Sequence, residues 1–159
     1  MNMKNAIKFS ALLMVTLVMM MSAGCKKDSS SATKEFMKLT IDGQAKDVPV
    51  YEAHLLSDLN IVGSISDDYK QIWIYLPEDF TIGTHALNSQ QTDHYAISYI
   101  DGLKNDGVTP DLYHQESGSI EITEYDVESG KLTGTFYVKC INDQEKVINI
   151  TNGSFLVFI

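Results

Sequence analysis

Four histidines, His54, His85, His94 and His114, are the first residues to weigh, because imidazole serves both as general base and as metal ligand. Their spacing holds neither a His-x-x-x-His nor a His-Glu-x-x-His pair, so a zinc site would need assembly by the fold alone. Scattered surface histidines are the better account. The loop Asp101-Gly102-Leu103-Lys104-Asn105-Asp106-Gly107 offers oxygen ligands and glycines. It lacks the alternating acids and terminal Glu of a calcium loop, and Lys104 sits in its middle, so it reads as a solvated turn. Gly63-Ser64-Ile65-Ser66 lacks the second glycine of a nucleophile elbow, and no helical pattern follows it. Glycoside hydrolysis needs two carboxylates about 5–10 Å apart in a cleft; with 21 acids in the chain, the existence of such a pair carries no weight. Cys140 alternates with apolar residues and reads as a small buried hydrophobe. The sequence therefore assigns no catalytic residue, no metal ligand and no cofactor.

Aromatic residues supply the one constellation that points to binding. In the strand pattern 71–76, Ile72, Ile74 and Leu76 take one face and leave Trp73 and Tyr75 on the other. In 95–100, Tyr95, Ile97 and Tyr99 share a face. If these strands are neighbours with the faces aligned, Trp73, Tyr75, Tyr95 and Tyr99 form an aromatic platform of the kind that holds sugars or peptides. The alternative is that both faces are covered and the rings belong to the core.

A second chemical feature lies near the start. Lys4 and Lys8 precede an uncharged run from Phe9 to Met21, then Ser22-Ala23-Gly24-Cys25 and the polar stretch Lys26-Lys27-Asp28-Ser29-Ser30-Ser31. A basic start, a short apolar run and small residues before a cut make a secretory signal peptide, and the run is shorter than the roughly 20 residues of a membrane-spanning helix. Ala-Gly directly before a cysteine resembles the lipobox of bacterial lipoproteins, with Ser22 where that family usually carries an aliphatic residue. The resemblance implies cleavage after Gly24, lipidation of Cys25 and anchoring to a membrane. It also implies the bacterial cell envelope, and Lys26 in place of Asp after the cysteine resembles the signal that sorts lipoproteins of other bacteria to the outer membrane. Residues 25–34 read as a flexible tether, and residues 35–159 as one domain.

Removing 24 residues from 159 leaves 135, enough to bury a core without staples. Two of the 12 basic residues lie in the leader, which leaves 10 against 21 acids and a formal charge of −11. That balance disfavours nucleic acid and anionic lipid headgroups as partners, and the absence of arginine removes the usual bidentate fork for phosphate. With Cys25 lipidated, Cys140 has no partner for an intrachain disulfide.

From Glu35 onward the apolar period is two. Met37, Leu39 and Ile41 alternate with polar residues, and Asp42-Gly43 signals a hairpin. Gln44–Tyr51 reads as the return strand, 52–57 as one helical turn, and 59–66 and 71–76 as strands. Thr81–Thr84 reads as a loop, 95–100 as a strand, and 101–117 as the longest polar interruption. Segments 119–125, 131–141 and 147–150 alternate, Asn152-Gly153 reads as a second hairpin turn, and Phe155–Ile159 as a central strand. About seven to nine short strands predict an all-β fold with an antiparallel C-terminal meander. A β-sandwich is the expected form, with an up-and-down barrel as the alternative.

Gly118-Ser119-Ile120-Glu121-Ile122-Thr123, Gly134-Thr135-Phe136 and Ile150-Thr151-Asn152-Gly153-Ser154-Phe155, with Ile41-Asp42-Gly43 and the lipobox, resemble a group of Bacteroidota lipoproteins of unknown function. The resemblance implies fold and location and carries no catalytic residue. The expected function is a non-catalytic binding or interaction module facing glycan, peptide or a partner protein. The alternative is an envelope hydrolase whose carboxylates are brought together by the fold.

Overall fold

Strands form where branched and aromatic residues alternate with polar ones, since each second side chain then reaches one face of the sheet. The computed structural model describes residues 34–55, 58–66, 69–90, 94–104 and 107–159. Ten strands are described: β1 (Phe36–Ile41), β2 (Gln44–Val48), β3 (Val50–Leu55), β4 (Asp58–Ser66), β5 (Lys70–Pro77), β6 (Gly83–Asn88), β7 (Ala96–Leu103), β8 (Pro110–Asp126), β9 (Lys131–Asn142) and β10 (Val147–Phe158). They make one antiparallel sheet in the order β2-β1-β10-β9-β8-β7-β5-β4-β3, with β6 also paired to β8. The leader, Cys25 and all of the expected tether except Lys34 lie outside the described residues, as do Asp67, Asp68, Asn105 and Asp106.

The sheet curls on itself into a half-barrel. Gly63 of β4 shows the closure, because a Cβ there would stand 2.6 Å from Val48 of β2 and 3.1 Å from the sulfur of Met37 of β1, from the far end of the strand order. Pro49 alone joins β2 to β3, so the two sheet edges are consecutive in sequence, and the Pro49 carbonyl accepts from Ser64 N–H at 3.1 Å. The all-β, antiparallel expectation holds. Sandwich and barrel meet in a single sheet whose halves face each other over one core built from Met37, Ile61, Ile72, Ile74, Ile97, Ile122, Leu132, Val138 and Phe155.

The Asp42-Gly43 hairpin is present, with φ of 45° and 83° at the two turn residues and Ile41 paired to Gln44. Asp42 also ties the hairpin to β10. Its N–H donates to the Asn149 carbonyl and its Oδ1 accepts from Asn149 N–H, each at 3.0 Å. β7 through β10 form the expected meander, and Phe155, Leu156 and Val157 are buried on both faces of the interior strand β10.

Four local expectations are corrected. Of the expected helical turn at 52–57, residues 52–55 belong to β3, because β4 offers a ladder from Val50 to Leu55, and residues 56 and 57 lie outside the described residues. Gly83 opens a strand, β6, in place of the end of a loop. Residues 110–117 begin the 17-residue β8. Asn152-Gly153 makes no hairpin: the register slips between Ile150 and Gly153 while β10 continues along β9, so Asn152, at φ 51°, sits in a bulge.

The polar start of β8 is accommodated by Gln115. β6 and β7 lie end to end along the same side of β8, and the Gln115 amide fills the break between them. Its Oε1 accepts from Ile97 N–H at 2.8 Å, and its Nε2 donates to the Asn88 carbonyl at 3.1 Å and the Tyr95 carbonyl at 3.4 Å. Asn142, the one buried polar residue among those described, does similar service at the β9–β10 turn. Its Oδ1 accepts from Gln144 and Lys146 N–H, and its Nδ2 donates to Asp111 Oδ1 at 3.0 Å.

Cys140 faces the core of β9 and is fully buried, and burial pushes its thiol pKa up to about 12. The reactive species is the thiolate. A thiol reagent at neutral pH should therefore label native protein very slowly and denatured protein quickly; fast native labelling would show that the β9 ladder opens far more readily than its burial implies.

Candidate functional site

β5 supplies the first candidate. Ile72, Ile74 and Leu76 point into the core, so alternation turns Trp73 and Tyr75 outward, where both are half-buried. The rings stack with centroids 6.0 Å apart and planes at 24°, and Trp73 Nε1 donates to Gln71 Oε1 at 3.0 Å. Small residues stand beside them on β7, Ser98 opposite Trp73 and Ala96 opposite Tyr75. Burial of the phenol raises the Tyr75 pKa above the ordinary tyrosine value.

β5 and β7 are neighbours, as the platform requires, but the faces are not aligned. The register sets Tyr99 opposite Ile72 and Ile97 opposite Ile74, and residues directly opposite share a face. Tyr99 and Tyr95 are consequently core residues, 3% and 6% exposed. The four-ring platform is thus corrected to a pair, Trp73 with Tyr75. Tyr95 stacks on His85 at 3.9 Å and its hydroxyl accepts from Thr81 N–H at 3.0 Å, while Tyr99 packs against Tyr113 at 5.9 Å.

A second candidate is an open cavity of about 470 Å³ whose lining includes Asp42, Lys46, Lys70, Tyr99 and Asp101. Asp101 Oδ1 accepts from Lys70 Nζ at 2.7 Å and from the Tyr99 hydroxyl at 3.0 Å. Burial first, then the charge and hydrogen bond of Asp101, push the Tyr99 phenol well above the tyrosine range. Burial, followed by the charges of Asp111 and Asp101, raises Tyr113 as well. These phenols stay protonated at neutral pH, and the Asp101 carboxylate already has two donors, Lys70 and Tyr99. The cluster is built to hold the strand ends together.

The remaining sequence candidates are dispersed. His85 lies 2.9 Å from the Thr81 carbonyl through Nε2, His94 and His114 are exposed on separate elements, and His54 belongs to β3. Among the described residues no three His, Cys, Asp or Glu side chains are placed to share a metal ion. Sequence reasoning passed over Tyr137, whose ring is 58% exposed on the outward face of β9. The signal was available in the alternation of 131–141, where Tyr137 falls between the inward Phe136 and Val138.

No curated protein and no solved structure matches the chain. A family model matches residues 50–157, from the first residue of β3 to the penultimate residue of β10, and so covers more than half of the sequence. On that match the chain belongs to the family described as Domain of unknown function (DUF6252).

Proposed function

We propose that this chain is a lipoprotein of the bacterial cell envelope, of the Bacteroidota type, anchored at the outer membrane through Cys25. In this reading its β domain acts as a non-catalytic binding module for glycan, peptide or a partner protein. The anchoring half rests on the leader and the Ala23-Gly24-Cys25 junction. The binding half is carried by the stacked Trp73–Tyr75 pair, two large rings on the outward side of a strand whose inward side already supplies core. Rings held in this way present apolar area with little further loss of rotamer freedom on binding.

Trp73 is the only tryptophan, so its emission reports this strand alone. Titration with oligosaccharides and with peptides from envelope digests should shift or quench it. Trp73→Ala should weaken the interaction while costing only about 1–2 kcal/mol of stability, less than a core residue, because the ring is half-buried. Emission unchanged by both panels would remove the pair as a site. For the anchor, Cys25→Ser should abolish acyl labelling and leave an uncut precursor of higher mass; partitioning and apparent mass both unchanged would sink the lipoprotein reading.

A further inference from the structure

The outward face of β6, β8, β9 and β10 carries an arrangement that the Trp73–Tyr75 reading does not use. Tyr137 stands exposed beside an open groove of about 700 Å³. Cross-strand pairing sets Thr84 opposite Glu121, Glu121 opposite Thr135 and Thr135 opposite Ser154, a polar row over four strands. Ser119 lies directly opposite Tyr137, and Asn152 from the β10 bulge completes the lining. The bulge matters here, because its extra residue brings an amide to a polar face otherwise made of hydroxyls and the Glu121 carboxylate.

These side chains have no partners of their own. Among the described residues, none of Thr84, Ser119, Glu121, Thr135, Asn152 and Ser154 makes a side-chain hydrogen bond or ion pair. Neighbouring polar residues on the same strands do pair: Thr123 Oγ1 lies 2.8 Å from Thr133 Oγ1, and Lys131 Nζ donates to Glu124 at 2.7 Å. The groove therefore concentrates unused donors and acceptors around one exposed aromatic ring.

The geometry points to a neutral saccharide as the ligand of this groove. A tyrosine face takes the C–H side of a pyranose, since the ring's negative face attracts polarised C–H bonds. Hydroxyls, an amide and one carboxylate then match sugar hydroxyls, which both donate and accept. No cation lines the groove, so a phosphorylated or uronic-acid ligand has no counter-charge there, and Glu121 repels it. An extended peptide added as a strand needs a free sheet edge. β8, β9 and β10 are each paired on both sides, so a peptide strand could add only along the outer side of β6, which contributes Thr84 alone to the groove.

The test is calorimetric titration of the detergent-solubilised full chain with cellohexaose, laminarihexaose, mannohexaose and maltohexaose, with polygalacturonate as the acidic comparison. At least one neutral oligosaccharide should bind and polygalacturonate should not. Tyr137→Ala should weaken that binding by about tenfold or more. Tyr137→Phe should retain most of it, Glu121→Gln should weaken it several-fold, and Trp73→Ala should leave it unchanged. Because Tyr137 is exposed, its variants should keep the native unfolding transition. No neutral binding, binding that survives Tyr137→Ala, or preference for the acidic polymer would overturn the proposal. Binding lost in Trp73→Ala but kept in Tyr137→Ala would also overturn it, and would assign the ligand to β5.

Discussion

Gly118→Ala should lower the unfolding free energy by roughly 2–6 kcal/mol, the sum of a backbone clash and the strain of relieving it. Gly118 pairs with Leu87 of β6 on one side and Val138 of β9 on the other. It lies just past the point where β8 slips register and exchanges β7 for β6 as its neighbour. A Cβ there would stand 2.3 Å from the Tyr137 carbonyl oxygen and 2.8 Å from Val138 Cα. Both are backbone atoms of an interior strand, so no rotamer change can make room. The β8–β9 ladder would have to separate in the middle of the sheet. Urea unfolding followed by near-ultraviolet circular dichroism should show the midpoint fall with little change in slope. A loss under about 1 kcal/mol would mean that these strands yield locally.

Phe155→Ala should cost about 3–5 kcal/mol, the usual toll of an emptied aromatic site in a core that collapses only in part. Its partner makes the case specific. Phe155 lies opposite Gly134 and Phe136 opposite Gly153, so two Gly-x-Phe runs on antiparallel strands lay each ring over the other strand's glycine. A Cβ on Gly134 would meet Phe155 at 2.6 Å, and one on Gly153 would meet Phe136 at 2.5 Å. The rings themselves sit 6.4 Å apart. Gly134→Ala alone should destabilise by about 1–3 kcal/mol through overpacking. Combined with Phe155→Ala it should cost less than the two losses added, because the ring it strikes is gone. Simple additivity in that cycle would argue that ring and glycine do not share space.

The same pairing explains why the Gly134-Thr135-Phe136 and Gly153-Ser154-Phe155 runs stand out in the sequence: they are packing devices. Alternation also made β1, β4, β5, β7, β9 and the ends of β10 legible, because one face of each is apolar. Legibility failed where a strand is polar and its demands are met by a distant group. The start of β8 depends on Gln115 reaching Ile97, Tyr95 and Asn88, and no local pattern announces that. Asn152-Gly153 has the composition of a hairpin turn, yet β9 and β1 pair with β10 on either side of it and convert it to a bulge. The aromatic site was half legible. Alternation turned Trp73 and Tyr75 outward correctly, but which face Tyr95 and Tyr99 join depends on the β5–β7 register, a fact of pairing between strands about 25 residues apart in sequence. Tyr137 was written in the alternation; its unpartnered polar neighbours needed four strands in register to come together.

The placement of β1 between β2 and β10 has a consequence for how the chain comes into being. Phe36 pairs with Leu156, and Glu35 accepts a hydrogen bond from Phe158 N–H. The first described strand thus waits for the last described one. Until β10 has been made, the β1–β2 hairpin has no strand to dock on. Such a hairpin is marginal by itself, and closing so long a loop is among the slowest steps a small domain takes. A nascent chain that still lacks β10 therefore shows open ladder edges on β1 and β9. Those edges are what chaperones, proteases and neighbouring copies recognise. The pairing makes β10 a keystone: β1 and β2 can join the sheet only once it is in place.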